Sequence, residues 1–336
     1  MSRRFEPNLR SGDVTPESVF FDRRRFLATL GLTIAAGPSA FAASRDEPEL
    51  LGVPYENDDV FPAKRNESFA IPGGIERKDL MARETAASHN NFYEFLPGRG
   101  GAVWEHVGEY EVEPWKVEVT GECHKPATFD LDDLLGFDHE ERIYHFRCVE
   151  RWAMNVPWTG FPLSKLLARV EPKASAQFVR FESAVKRSQM PGVVSADWYP
   201  WPYQEALRID EAMNELALIV TGVYGKPLLK QHGAPVRIIV PWKYGYKNPK
   251  AIVKIELTSK RPKTFWEIQP HEYGFISNVN PFIPHPRWSQ ATSYWLDDRE
   301  PFPTPIYNGY ESYVAELYPD EPRTLQRPLK PGQKAR

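Results

Sequence analysis

Cysteine is scarce in this chain of 336 residues: there are two, Cys123 and Cys148. Neither has a second cysteine at the Cys-x-x-Cys spacing of a zinc site, a redox dithiol or a c-type haem attachment, and two thiols alone cannot hold an iron–sulfur cluster. A Gly-rich dinucleotide fingerprint is also missing, which removes the usual route from a soluble nicotinamide reductant. Basic excess is absent, with a formal net charge of -3, so nucleic acid is excluded as a partner. Past residue 43 no stretch is apolar enough to span a bilayer. Internal repeats and low-complexity tracts are absent as well.

Proline and aromatics are plentiful, with 32 Pro, 10 Trp, 15 Tyr and 19 Phe. So much proline argues against long helices and favours short strands, irregular loops and a few capped helices. At the N-terminus, Arg23-Arg24 followed by Phe26-Leu27 heads an uncharged stretch from Phe26 to Ala43 that contains Pro38. Six arginines precede it, the apolar run is diluted by Thr29, Gly31, Thr33 and Gly37, and Ala40-Phe41-Ala42 offers a small-x-small cleavage site. This is the pattern of a twin-arginine leader, which exports proteins already folded, and it predicts a periplasmic protein beginning near Ala43. An ordinary secretory leader or a membrane anchor is the competing reading.

The alternation from Trp115 to Thr120 predicts a strand, as do Ile143 to Val149, Phe178 to Ser183, Leu216 to Thr221, Val236 to Val240 and Ile252 to Leu257. Short helices are expected within Glu76 to Ala87, Thr128 to Leu135, from Phe161 to Leu167 and around Leu207 to Met213. A tryptophan-containing loop is expected through Asn155-Val156-Pro157-Trp158. The class is mixed α+β. Four segments are expected: a leader over 1–42, a strap that contacts a cofactor over 43–110, a catalytic core over 111–296 and a wrapping tail over 297–336.

Two places carry chemistry. Cys148 is flanked by Arg147 and Arg151, and nearby positive charge would favour its thiolate, making it a nucleophile or a metal ligand. A buried structural cysteine is the alternative. Arg237, Lys243, Lys247 and Lys250 lie within fourteen residues, interleaved with Gly, Trp and Tyr. They suggest a loop around an anionic group such as a phosphate, against the alternative of a solvated surface loop.

Phe146-Arg147-Cys148-Val149-Glu150, Val156-Pro157-Trp158-Thr159-Gly160, the run Gly233 to Gly245, Asn278-Val279-Asn280-Pro281 and His285-Pro286-Arg287-Trp288-Ser289-Gln290 carry a resemblance. They are similar to the catalytic subunits of bacterial periplasmic protein-methionine-sulfoxide reductases, within the sulfite-oxidase-like molybdoenzymes. That resemblance implies a sulfite-oxidase-like molybdopterin-binding fold without the extra immunoglobulin-like dimerisation domain of larger relatives. It implies one molybdenum–molybdopterin per chain, with Cys148 as the protein thiolate on the metal. Asn90, Tyr93, Glu94, Ser183, His232, Arg237, Asn248, Pro249 and Lys250 match cofactor contacts, and Glu150 and Arg151 are weaker catalytic candidates. Ser183 stands where the family often has threonine, which supplies the same hydroxyl, and His232 where it has asparagine, so a ring that donates one hydrogen bond replaces the amide's paired donor and acceptor.

The implied reaction reduces methionine sulfoxide in oxidised periplasmic proteins. Electrons are expected from a haem-containing integral membrane subunit linked to quinone, and the catalytic subunit is expected to be monomeric. Sulfite-oxidase-like chemistry on a small sulfur oxyanion or sulfoxide is the rival reading, and a cofactor-free peptide-binding module a more distant one.

Overall fold

The computed structural model describes residues 52, 53, 55, 57–98 and 100–335. The expected leader lies outside these residues. Twelve strands appear among them: β1 (Lys116–Gly121), β2 (Ala127–Asp130), β3 (Glu140–Arg147), β4 (Trp152–Pro162), β5 (Phe178–Ser183), β6 (Gln204–Arg208), β7 (Leu218–Val223), β8 (Lys226–Pro227), β9 (Arg237–Ile239), β10 (Ile252–Thr258), β11 (Thr292–Trp295) and β12 (Pro301–Pro303). They form a five-stranded sheet in the order β2-β1-β10-β5-β6 and a seven-stranded sheet in the order β12-β11-β4-β7-β8, with β3 paired to β4 and β9 to β7. Most pairs are antiparallel; β1 with β10 and β11 with β4 are parallel.

Helices are short. The helix α1 (Arg83–Ser88) is followed by α2 (Leu131–Leu135), where the Asp130 side chain accepts from the Asp133 backbone and Asp133 returns the bond, a reciprocal cap that satisfies two orphan donors. In α3 (Leu163–Val170), Leu163, Leu166, Leu167 and Val170 are buried at helical spacing, each stabilising by roughly 1.5–3 kcal/mol against exposure. The helices α4 (Pro191–Ser195), α5 (Ile209–Met213) and α6 (Glu311–Val314) are the remaining α-helices among the described residues.

Two local expectations are corrected. The stretch through Pro157 is the middle of β4, not a loop, and all but its last residue are buried. Pro157 lies opposite Ile143, whose N–H goes to the Phe69 carbonyl instead of across the pair, so the proline removes no bond between β3 and β4. Secondly, residues 76–82 are not helical. The Asn155 amide takes the carbonyls of Arg77 and Asp79, and the Met81 N–H donates to the Asn155 carbonyl, so long-range bonds to β4 replace the helical ones.

Segments that precede β1 and follow β12 are tied to the strand that leads to Cys148. Asn66 donates to the Glu141 carbonyl and Glu141 to that of Lys64. From the C-terminal side, the Tyr310 hydroxyl accepts the His145 N–H, and the Asn308 amide donates to the His145 and Pro241 carbonyls. Among the described residues, no helix is long and apolar enough to cross a membrane.

Candidate functional site

Cys148 is the first residue after β3, in the four-residue tip that joins it to β4. The tip is closed by Cys148 N–H to the Trp152 carbonyl and by Arg151 N–H to the Cys148 carbonyl, both at 3.0 Å. Arg151 takes a left-handed φ of 81° there, and its Nε donates to the Thr292 carbonyl. The thiol is 5% exposed. Asn91 Nδ2 approaches Sγ at 3.4 Å and donates to Glu150 Oε2 at 3.0 Å, a carboxylate oxygen that also accepts from Trp152 Nε1.

Arg147 does not turn toward the sulfur. Its Nε donates to Ser293 Oγ and its Nη1 to the Cys148 carbonyl. Burial, reinforced by the Glu150 carboxylate, therefore pushes the Cys148 thiol well above its ordinary range, opposite to the expectation from the flanking arginines. Such a sulfur is not a free thiolate nucleophile; a metal that displaces its proton would change that. Cys123, the other free cysteine, is buried elsewhere beside the bridge to Pro172.

One cavity runs from this cluster to the basic loop. Asn90, Tyr93, Glu94, Cys148, Glu150, Arg237, Asn248, Pro249 and Lys250 all line it, with Asn91, Tyr246, Trp266 and Tyr273. Ser183, His232 and Arg151 are not among its lining residues. Ser183 ends β5 opposite Ile252, and His232 offers its carbonyl to Arg237 Nη1 at 2.7 Å.

The four cations of the loop separate into two pairs. Lys243 Nζ reaches Glu211 at 2.8 Å and Lys247 Nζ reaches Glu205 at 2.5 Å, all in the interior. These two lysines hold the loop to α5 and β6. Arg237 and Lys250 face the cavity instead. Arg237 is 3% exposed, and its Nε and Nη2 have no hydrogen-bond partner among the described residues. Burial alone lowers its pKa to about 9; no carboxylate offsets it. A buried guanidinium without a counter-charge is costly unless an anion arrives.

Other buried polar atoms without a partner include Asn90 Oδ1 and Asn91 Oδ1, on residues that line the cavity, and Ser183 Oγ and His232 Nδ1, on residues that do not. Lys250 is desolvated and repelled by Arg237, which lowers its pKa, while burial raises that of Glu94. Lys250 also donates to the Asn91 carbonyl. The Asn248 side chain is occupied in shaping its own turn, accepting from Val240 N–H and donating to the Tyr244 and Gly245 carbonyls. Gly233, at φ +97°, lies so close to Lys250 that a Cβ would sit 2.5 Å from its side chain.

No cluster of three or more His, Cys, Asp or Glu arranged for a metal occurs among the described residues. The donor set fits a metal that brings most of its own ligands and an anionic tail: one soft sulfur at one end, a guanidinium and a lysine at the other. Asn91 is the site residue that sequence reasoning passed over in favour of its neighbour Asn90.

The profile described as "Oxidoreductase molybdopterin binding domain" matches residues 105–266, which span most of both sheets and the basic loop. The fold is thus that of a molybdopterin-binding oxidoreductase. The chain is 45% identical over 326 residues, 95% of its length and 97% of the relative's, to the protein-methionine-sulfoxide reductase catalytic subunit MsrP of Xanthomonas axonopodis pv. citri (strain 306). It belongs to that family of catalytic subunits. A solved structure, the sulfane dehydrogenase SoxCD of Paracoccus pantotrophus, aligns with a TM-score of 0.42 at 16% identity, over 74% of this chain and 60% of that one.

Proposed function

We propose that the protein reduces methionine sulfoxide residues of exported proteins to methionine, using one bound molybdenum–molybdopterin per chain. The observation that carries this reading is the pairing, in one cavity, of the Cys148 thiol with a buried Arg237 that has no counter-charge. Identity to the reductase subunit along nearly the whole chain supports the substrate. When bound, the group supplies two-electron oxygen-atom transfer, which the side chains cannot perform alone.

Cys148 would hold the metal through a soft sulfur that loses its proton on ligation. Asn91 keeps that sulfur and the Glu150 carboxylate in fixed relation. Arg237 and Lys250 would neutralise the cofactor phosphate, Asn90, Tyr93 and Glu94 would line its pterin side, and the backbone of 248–250 would close around it. Ser183 and His232 do not line the cavity, though each carries an unpaired polar atom. Arg151 acts through the hairpin tip, whose shape it sets.

Reduction takes up two electrons and two protons and releases the thioether and water. Glu150, with Oε2 3.7 Å from Sγ, is placed to hold one of those protons. Tyr93, Trp266 and Tyr273 restrict water and give the methionine sulfur an aromatic seat. Electrons would come from a haem-containing membrane subunit, and the chain would act as a monomer in the periplasm after twin-arginine export.

Elemental analysis and pterin fluorescence of natively exported protein are expected to give one molybdenum and one pterin per chain. With an artificial electron donor, the protein should reduce methionine sulfoxide and oxidise sulfite poorly. Stoichiometric absence of molybdenum, or efficient sulfite oxidation without sulfoxide reduction, would reject the reading.

A further inference from the structure

Arg237 commits Nη1 to the His232 carbonyl, which leaves Nε and Nη2 without a hydrogen-bond partner among the described residues. Those two donors lie side by side on one edge of the planar guanidinium, the edge that can take two oxygens of a phosphate at once. A third donor lacks a partner in the same cavity wall. It is Trp158 Nε1, buried and without an acceptor among the described residues, whereas a buried indole N–H usually finds one.

Strand alternation accounts for the place of this residue. Trp152, Met154 and Trp158, all even-numbered positions of β4, line the cavity, and no odd-numbered position of that strand does, as expected when successive side chains point to opposite faces. Trp158 is held in mid-sheet, opposite Arg142 of β3 and Val223 of β7. The Arg237 guanidinium carbon lies over its ring, 5.0 Å from the centroid, a cation–π contact that strengthens when water is excluded. The ring face thus offsets part of the missing counter-charge and fixes the guanidinium against the side chain that bears the third donor.

We propose that Trp158 Nε1 is the third donor to the terminal phosphate of the bound pterin, alongside Arg237 Nε and Nη2, an inference that rests on reading the cavity as the molybdopterin site. A phosphate monoester carries three terminal oxygens. Two match the free edge of the guanidinium, and the third is left for the indole. Because an indole N–H donates and cannot accept, the contact selects an anion and offers nothing to a second cation. Trp158 adds no charge, so its contribution is a directed hydrogen bond on a rigid ring.

Replacing Trp158 by benzothienylalanine, a sulfur isostere of tryptophan, removes the N–H and keeps the bicyclic ring. Titrated with inorganic phosphate, the cofactor-free full-length isostere should bind about tenfold more weakly than wild type, the size expected for one hydrogen bond to a charged acceptor. Its thermal midpoint without phosphate should be unchanged or higher, and its pterin fluorescence after expression in a cofactor-producing host should fall. Trp158→Phe should show the same loss of phosphate binding. Equal phosphate affinity and pterin content in the isostere and wild type overturns the third donor and leaves sulfoxide reduction intact. Phosphate binding that depends on the indole N–H, in a wild-type chain that takes up no pterin, upholds the three-donor anion seat and overturns the molybdopterin reading.

Discussion

Lys250 Nζ donates to the Asn91 carbonyl at 2.8 Å, and the Asn91 side chain in turn contacts both Cys148 Sγ and Glu150 Oε2. One residue thus joins the basic end of the cavity to the sulfur end. A group that binds Lys250 at one end and Cys148 at the other would close a loop through Asn91, so the two ends are positioned together.

Cys148→Ser should leave the fold intact, because the hairpin tip is closed by backbone bonds that serine keeps. Sulfoxide reduction should fall by at least about a hundredfold, since a hard oxygen cannot reproduce the soft sulfur's bonding. Cys123→Ser should retain nearly full turnover. Circular dichroism and a dye-linked assay on the two variants check the contrast; normal activity of Cys148→Ser would remove it from the metal.

Arg237→Met separates ligand binding from folding. Replacing an unpaired buried cation with an apolar side chain should leave the cofactor-free protein as stable or more stable, by about 1–2 kcal/mol. Pterin content of the purified protein should fall about tenfold or more. Thermal denaturation and pterin fluorescence measure the two effects separately, and a destabilised cofactor-free variant with normal pterin content would contradict both.

Lys243→Met should behave in the opposite way. It strands Glu211, which is held below the ordinary carboxylate range by Lys243 and by the Tyr318 hydroxyl despite its burial. Breaking one side of a buried pair costs about 3–5 kcal/mol. Urea denaturation should show that loss with or without cofactor, whereas Lys250→Met should alter cofactor retention more than stability.

Stability should also depend on His145. Burial lowers its pKa to about 4, and its Nδ1–H donates to Asn155 Oδ1, an acceptor fixed because the Asn155 amide already donates elsewhere. In the unfolded chain the ring titrates near 6.5. Its contribution is therefore complete above about pH 6.5 and is lost as pH falls toward 4, where the unfolded chain takes up a proton that the folded one refuses. The slope should reach about 1.4 kcal/mol per pH unit. Denaturation midpoints at pH 7 and 5 should differ less for His145→Gln than for wild type.

The strands that alternate were legible in the sequence because burial follows side-chain direction, as in β5, where alternate residues are buried. The two chemical centres stood out as well, Cys148 by its surroundings and the basic loop by its cations. What could not be read was which cations face the cavity and which are paired in the interior. Glu205 and Glu211, which engage Lys247 and Lys243, lie over thirty residues earlier, and no local pattern announces that pairing. For the same reason Asn155 concealed the extended path of residues 76–82, and Asn90 and Asn91 could not be ranked before the chain brought one of them to the sulfur.

Gly192 gives helix α4 a fixed point. Its backbone lies against the Tyr93 and Glu94 carbonyls with no room for a methyl group, while Val194, Ser195, Asp197 and Trp198 are exposed. The exposed side chains of this segment can therefore change without disturbing the Tyr93 and Glu94 backbone at the cavity wall, provided that this one contact keeps its spacing. A variable outer face and a fixed cavity wall are thus joined at the atomic scale by the absence of a single carbon.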